Sequence, residues 1–182
     1  MEKFGSQITQ GITISSMVVS KIEFTLWPVC WKIDSINLKF IFKKISLSSD
    51  HAGFNLKEKI RKYLLKKKIK VLDLGPTNNN SVDYPDYAKK VARNVISKKS
   101  NVGILVCGSG TGMAISANKF KKIRAAVCYN IASTRLSRMH NNANILALGS
   151  RLTNKQNAIK LVNVFLSTKF EGGRHLRRVN KI

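Results

Sequence analysis

Val102-Gly103-Ile104-Leu105-Val106-Cys107-Gly108-Ser109-Gly110-Thr111-Gly112-Met113-Ala114 is the stretch whose reading decides the fold. Val102 to Val106 is a short apolar run with no polar interruption, the pattern of a strand buried on both faces. Alternate glycines follow, then the opening of a helical segment, so the chain leaves a strand through a tight turn and enters a helix. Strands buried on both faces belong to parallel sheets, and parallel strands need crossover connections. The same alternation extends outward in both directions. Short β-prone runs near 44–48, 70–74, 124–128 and 145–148 join the one at 102–107, and longer segments fill the gaps. The segment 55–68 carries Leu56, Ile60, Tyr63 and Leu64 at helical spacing, and similar segments run at about 85–98, 110–118, 131–140 and 154–167.

The expectation is an α/β chain with a doubly wound five-stranded parallel sheet, a Rossmann-like three-layer sandwich. It is a single domain over residues 43–182. Residues 1–42 have a different texture, with no clear period and Pro28 between Trp27 and Trp31, and are expected to form an extension outside the core. At 182 residues, with 43% apolar and 23% charged, the chain suits one domain with a substantial core.

The formal charge of +24 would draw nucleic acid or an anionic surface. The basic residues, however, are mostly Lys scattered over helical segments, as in Lys59, Lys62, Lys66 and Lys89, without arginines interleaved with aromatics. No specific nucleic-acid partner is expected, and the positive field suits a phosphorylated small molecule. Phe4 to Ser20, the longest uncharged stretch of the extension, carries Ser, Thr, Gln and Gly throughout, a poor membrane span. Cys30, Cys107 and Cys128 show neither CxxC nor Cys/His spacing, so no zinc site or disulfide framework is indicated, and a reducing, cytoplasmic setting fits best. No cofactor is called for.

Ligands of such a fold collect beyond the carboxyl ends of the strands. The first turn, Ser48-Ser49-Asp50-His51-Ala52-Gly53, sets a carboxylate beside an imidazole, a pair equally able to be a helix cap or a functional site. Asp83-Tyr84-Pro85 reads as a helix start with Pro in its first turn. The third turn, Cys107 to Gly112, turns successive amides toward an anion at a helix start. A dinucleotide fingerprint fails because its third glycine would fall at Met113, and the lysine of a phosphate loop is missing as well. Cys107 beside these amides is either a buried structural thiol or a thiolate in waiting. Ser109 would donate a hydrogen bond or relay a proton. His140 ends a helix just before the strand 145–148, which puts it at the opposite edge from the three turns. It would complete their site only from another subunit. Arg151 follows the last strand, and Arg174 and Arg178, four apart, would share a helix face and grip a phosphate.

The segments SDHAGF (49–54), DYP (83–85), VCGSGTGMAISANK (106–119), RMHNNAN (138–144), LGSR (148–151) and EGGRH (171–175), in this order, resemble ribose-5-phosphate isomerase type B, in the family that also holds the galactose-6-phosphate isomerase subunits. The resemblance spans about 43–182. It implies interconversion of ribose 5-phosphate and ribulose 5-phosphate in the non-oxidative pentose phosphate pathway, with an isomerase of a six-carbon sugar phosphate as the alternative. By motif position it implies Cys107 as the base between C2 and C1. Gly108, Ser109, Gly110, Thr111 and Gly112 would stabilise the enediolate, and His140 would open the furanose ring. Asp50 would orient the sugar hydroxyls with Asn141 and Tyr84 nearby. His51, Arg174 and Arg178 would hold the phosphate, and Arg151 would also bind substrate. It further implies a homodimer or homotetramer with sites between subunits. Ser48 stands where the family commonly has Gly, and residues 1–42 have no counterpart in the family pattern.

Overall fold

The computed structural model describes residues 39–182, and the readings made of Trp27, Pro28, Cys30 and Trp31 lie outside the described residues. In chain order the elements are β1 (Lys44–Ser49), α1 (Phe54–Lys66), β2 (Lys70–Asp73), α2 (Tyr84–Ile96), β3 (Val102–Cys107), α3 (Thr111–Asn118), β4 (Ala125–Val127), α4 (Ile131–Met139), β5 (Ile145–Gly149), α5 (Lys155–Ser167) and α6 (Gly173–Val179). The strands pair in the order β2-β1-β3-β5-β4, and every pairing is parallel. All five expected strands are present, so the α/β sheet read from the sequence is the one observed.

Side-chain alternation along the strands builds two core layers. Ile104 and Val106 of β3, with Ile45 and Leu47 of β1 and Leu146 and Leu148 of β5, face one layer, closed by Leu56, Ile60 and Leu64 of α1 and Leu161, Val162 and Phe165 of α5. Leu105 and Cys107 face the other with Ile145 and Ala147, closed by Ala88, Val91 and Ala92 of α2 and Met113, Ala114 and Ala117 of α3. The small residues of α2 and α3 let these helices come close to the sheet. Gly103 makes the same allowance from the strand side, because a Cβ there would lie 2.4 Å from Val91 Cγ1. Phe40 and Phe42 pack against the first layer, and the Ile41 amide donates to the Leu166 carbonyl at 3.0 Å. The last residues of the expected extension therefore pack on the domain rather than standing clear of it.

Lys57 of α1 is among the largest fully buried side chains of the described residues, 1% exposed. Its ammonium reaches both Asp73 carboxylate oxygens at 3.0 Å, the Pro76 carbonyl at 2.8 Å and Glu58 Oε1 at 3.1 Å, which joins α1 to the exit of β2. A buried cation is tolerable because all three ammonium protons find acceptors. Glu58 also accepts a fork from Arg61, at 3.0 and 2.8 Å. The Arg61 hydrogen bond, with help from Lys57, holds the Glu58 carboxyl below the usual carboxylate range against the opposing effect of burial.

The turn from β1 to α1 passes so close to β3 that a Cβ on Gly53 would lie 2.1 Å from the Val106 carbonyl oxygen. Both partners are backbone, so neither yields cheaply. Gly53→Ala is expected to cost about 1–3 kcal/mol of stability. At about 2–4 °C per kcal/mol for a domain of this size, thermal denaturation should show the loss plainly, and an unchanged melting temperature would contradict the packing described. Because the folded value for Glu58 lies below the unfolded one, its stabilisation is complete above the carboxylate range and is lost as pH falls through the folded value. Melting temperatures measured from about pH 6 down to pH 3 should therefore fall less steeply in Glu58→Gln than in the parent chain.

Candidate active site

β1 and β3 are adjacent, and the chain moves away from them in opposite directions, β2 to one side, β5 and β4 to the other. The crevice at such a switch point, beyond the carboxyl ends, is the ligand site of this architecture. Here it is a cavity of about 330 Å³. The β1 exit contributes Asp50, His51 and Ala52; the β3 exit Cys107, Gly108 and Ser109, with Gly112 on α3; the β5 exit Arg151 and Leu152; and α2 contributes Tyr84.

The β3 loop is shaped by what surrounds it. Gly110 has φ +83°, a conformation glycine adopts without strain, and a Cβ there would meet the backbone of Leu148 and Gly149 at 3.0–3.1 Å. On the β5 side, a Cβ on Gly149 would lie 2.7 Å from the Ser109 carbonyl oxygen. The Ser150 and Arg151 amides donate to the carbonyls of Cys107 and Gly108 at 2.8 and 3.1 Å, and the Ser150 hydroxyl donates to the Ala52 carbonyl at 2.9 Å. Three strand exits are thereby tied together. The result is chemical as well as structural: the Gly110 amide points at Cys107 Sγ, 3.0 Å away, and the thiol is only 5% exposed. An N–H aimed at the sulfur fixes its position and direction at the floor of the cavity. The Thr111 amide donates to Ser109 Oγ at 3.3 Å, leaving the hydroxyl proton free to point elsewhere.

Asp50 is buried, and its Oδ1 accepts the Gly53 amide at 2.7 Å while its own amide donates to the Val106 carbonyl at 3.1 Å. It is thus both a turn-former and a cavity wall. His51 and Arg151 are exposed at the rim, and the Arg151 guanidinium lies 3.4 Å from where a Gly108 Cβ would stand. The Tyr84 ring is 2.9 Å from the equivalent point on Gly112, so a side chain there would push the exposed phenol aside at the start of α3.

Four of the sequence-derived candidates lie elsewhere. β5 runs beside β3 with Ile145 opposite Gly103 and Gly149 opposite Cys107, so the two sheet edges are separated by roughly 13 Å of strand. His140, the C-cap of α4, sits at the far edge. Its Nε2 is 3.6 Å from Glu171 Oε2, and its ring stacks on that of His175 with centroids 4.2 Å apart and planes 7° apart. Arg174 and Arg178 both lie on α6, and Arg174 Nε reaches His175 Nε2 at 3.5 Å. Burial, then the charges of His140 and Arg174, pull His175 below the usual imidazole range against the opposing pull of Glu171. Asn141 lines a second cavity of about 320 Å³ beside the edge strand β4, with Arg124, Ala126 and Ile182.

This far-edge segment is held from beneath by Arg138, which is 4% exposed, donates to the Thr168 and Ala143 carbonyls and Asn142 Oδ1, and faces the rings of Phe42 and Phe165. Burial and the charge of Arg124 bring its pKa down to about 10. Sequence reasoning had assigned no part to Glu171, His175, Gly53 or Gly149, although all four stand inside the quoted motifs or directly beside them.

Among the described residues no helix is long and apolar enough to cross a membrane. Residues 45–182 match the family model described as Ribose/Galactose Isomerase. A putative sugar phosphate isomerase of Rickettsia bellii is 48% identical over 138 residues, 76% of this chain and 96% of that protein. The ribose-5-phosphate isomerase B of Escherichia coli is 44% identical over 140 residues, 77% of this chain and 94% of that protein. Among solved structures, a ribose 5-phosphate isomerase of Thermotoga maritima superposes with a TM-score of 0.75 at 54% identity, covering 76% of this chain and 95% of that one. With the fold, the loop and the match all spanning the same residues, this chain belongs to the ribose/galactose isomerase family.

Proposed function

We propose that the chain is a ribose-5-phosphate isomerase, interconverting ribose 5-phosphate and ribulose 5-phosphate through an enediolate, with Cys107 as the base. The observation that carries the reading is the Gly110 amide held 3.0 Å from Cys107 Sγ in a cavity shared with Asp50 and Ser109. A thiolate there removes the C2 proton as the C1 carbonyl takes up the electron pair. The thiol so formed returns a proton to C1 as the hydroxyl proton on O2 passes to O1, which leaves the C2 carbonyl and regenerates the thiolate. Negative charge develops on the oxygens of the enediolate, and the Ser109 hydroxyl and the amides of Gly108 and Gly112 are the donors offered to it, while the Gly110 and Thr111 amides hold the sulfur and Ser109 Oγ in place. Donors fixed before the reaction need no reorganisation as the charge develops.

Furanose opening needs a proton donor and acceptor near the ring oxygen, and the Cys107 cavity has no second suitable imidazole beyond His51 at its rim. His140 from a neighbouring subunit supplies it in this reading, with Asn141 beside the sugar. Arg174 and Arg178 of the neighbour, four apart on α6, then grip the phosphate with His51. Arg151 and Tyr84 close the cavity around the sugar, and Asp50 orients its hydroxyls. The working unit is therefore at least a homodimer, with the segment that precedes the domain accessory to catalysis.

A coupled assay on the purified chain should show turnover of ribose 5-phosphate, with a lower kcat/KM for six-carbon sugar phosphates, because pocket length discriminates by about 10- to 200-fold. The reverse preference would assign the chain to the six-carbon branch. Cys107→Ala should lose about 100- to 10,000-fold in kcat. Ser109→Ala should lose about 100-fold. Near-normal turnover by Cys107→Ala would overturn the mechanism.

A further inference from the structure

We propose that His140, Glu171 and His175 form a binding site for a divalent transition-metal ion of the Zn²⁺ class. One donor atom from each residue lies within 4.8 Å of the other two. Both imidazole Nε2 atoms are 3.6 Å from Glu171 Oε2. Zinc bonds of 2.0–2.2 Å in tetrahedral geometry set neighbouring ligand atoms about 3.4 Å apart, so the two measured separations are within a few tenths of an ångström of what coordination requires. Two imidazoles and one carboxylate, with a fourth position open to water, are a donor set that suits Zn²⁺ and Co²⁺ and not the oxygen-seeking Mg²⁺ or Ca²⁺.

The ligands come from two segments that the fold brings together. His140 caps α4, while Glu171 stands just before the N-cap of α6 and His175 lies in its first turn. The Glu171 amide donates to the Met139 carbonyl at 3.1 Å, fixing the carboxylate segment to the residue beside His140. His175 is 7% exposed and held in place, whereas in the single chain the His140 side chain is 36% exposed and the Glu171 side chain 44%, so these two are the freer to adjust around an ion. The two rings are nearly parallel, so their lone pairs do not yet converge. Coordination requires the freer ring, His140, to turn about its χ2 and unstack from His175. Arg174 Nε, 3.5 Å from His175 Nε2, would have to move aside. Its charge and that of Arg178 oppose a cation, which makes the site one for exchangeable metal and not for a permanent structural ion. Occupancy would take His140 away from the substrate. That consequence rests on the ring-opening role proposed above; the binding itself does not.

The test is to titrate the full, metal-stripped chain with Co²⁺ and record its visible spectrum. The d–d bands of four-coordinate cobalt should saturate at about one ion per chain and disappear on adding Zn²⁺. Glu171→Gln and His175→Gln should each weaken binding at least about 10-fold, the exposed Glu171 being the variant safest to fold. Cys107→Ala should titrate like the parent. Absence of these bands, bands indifferent to both substitutions, or bands lost with Cys107→Ala would overturn the proposal. In parallel, Zn²⁺ should inhibit turnover reversibly, with chelator restoring it, and the ratio of inhibited to restored rate should approach unity in Glu171→Gln. Cobalt binding as described with turnover undiminished by zinc would uphold the site and overturn the role given to His140.

Discussion

Everything in this domain depends on the approach of three backbones around the loop that leaves β3. Gly53 from the β1 side and Gly149 from the β5 side leave no space for a Cβ, at 2.1 and 2.7 Å from carbonyl oxygens of Val106 and Ser109. Between these walls Gly110 takes a left-handed conformation, and that conformation turns its amide onto the cysteine sulfur. Packing and chemistry are thus one constraint. A larger residue at any of the three positions would move the amide before it altered the thiol. Donors fixed in this way need no reorganisation when charge develops beside them.

The parallel sheet has a second consequence. Because every crossover returns the chain to the same edge, residues that follow strands and residues that precede them are separated by the full length of a strand. Cys107, Asp50 and Arg151 belong to one edge, His140 and the α6 arginines to the other. In the proposed mechanism each edge carries half of a site, and a symmetric pair would join them with one interface completing two sites. The positive charge of the chain acts at longer range, favouring arrival of a phosphorylated sugar without deciding its place.

Much of this was legible in the sequence. The β3 run and its glycines announced a strand, a turn and a helix start because burial on both faces leaves an uninterrupted apolar string. The edge assignment of His140 followed from its place before a strand. Other features left no such trace. Lys57 reads as one more solvated lysine of α1, and only the position of Asp73 and the Pro76 carbonyl across the β2 exit reveals why it is buried. Phe40 and Phe42 read as part of the extension, since nothing local shows that both pack on the first core layer or that Arg138 lies over the Phe42 ring. The stacking of His140 on His175 joins residues far apart in the chain, and no spacing rule relates them. Gly53 and Gly149 were visible as glycines, but the reason for them is the neighbouring strand.

Subunit complementation tests the central claim, a site with its base from one chain and its ring-opening imidazole from another. Cys107→Ala and His140→Asn variants, each inactive alone, are mixed, dissociated and allowed to reassociate, and isomerase activity is measured against the parent chain. If the site is shared, half the dimers are mixed and each contains one intact site, so activity should return to about one quarter of the parent value. If Cys107 and His140 serve the same subunit's site, every site in the mixture lacks one of them, and activity would stay at the level of the separate variants.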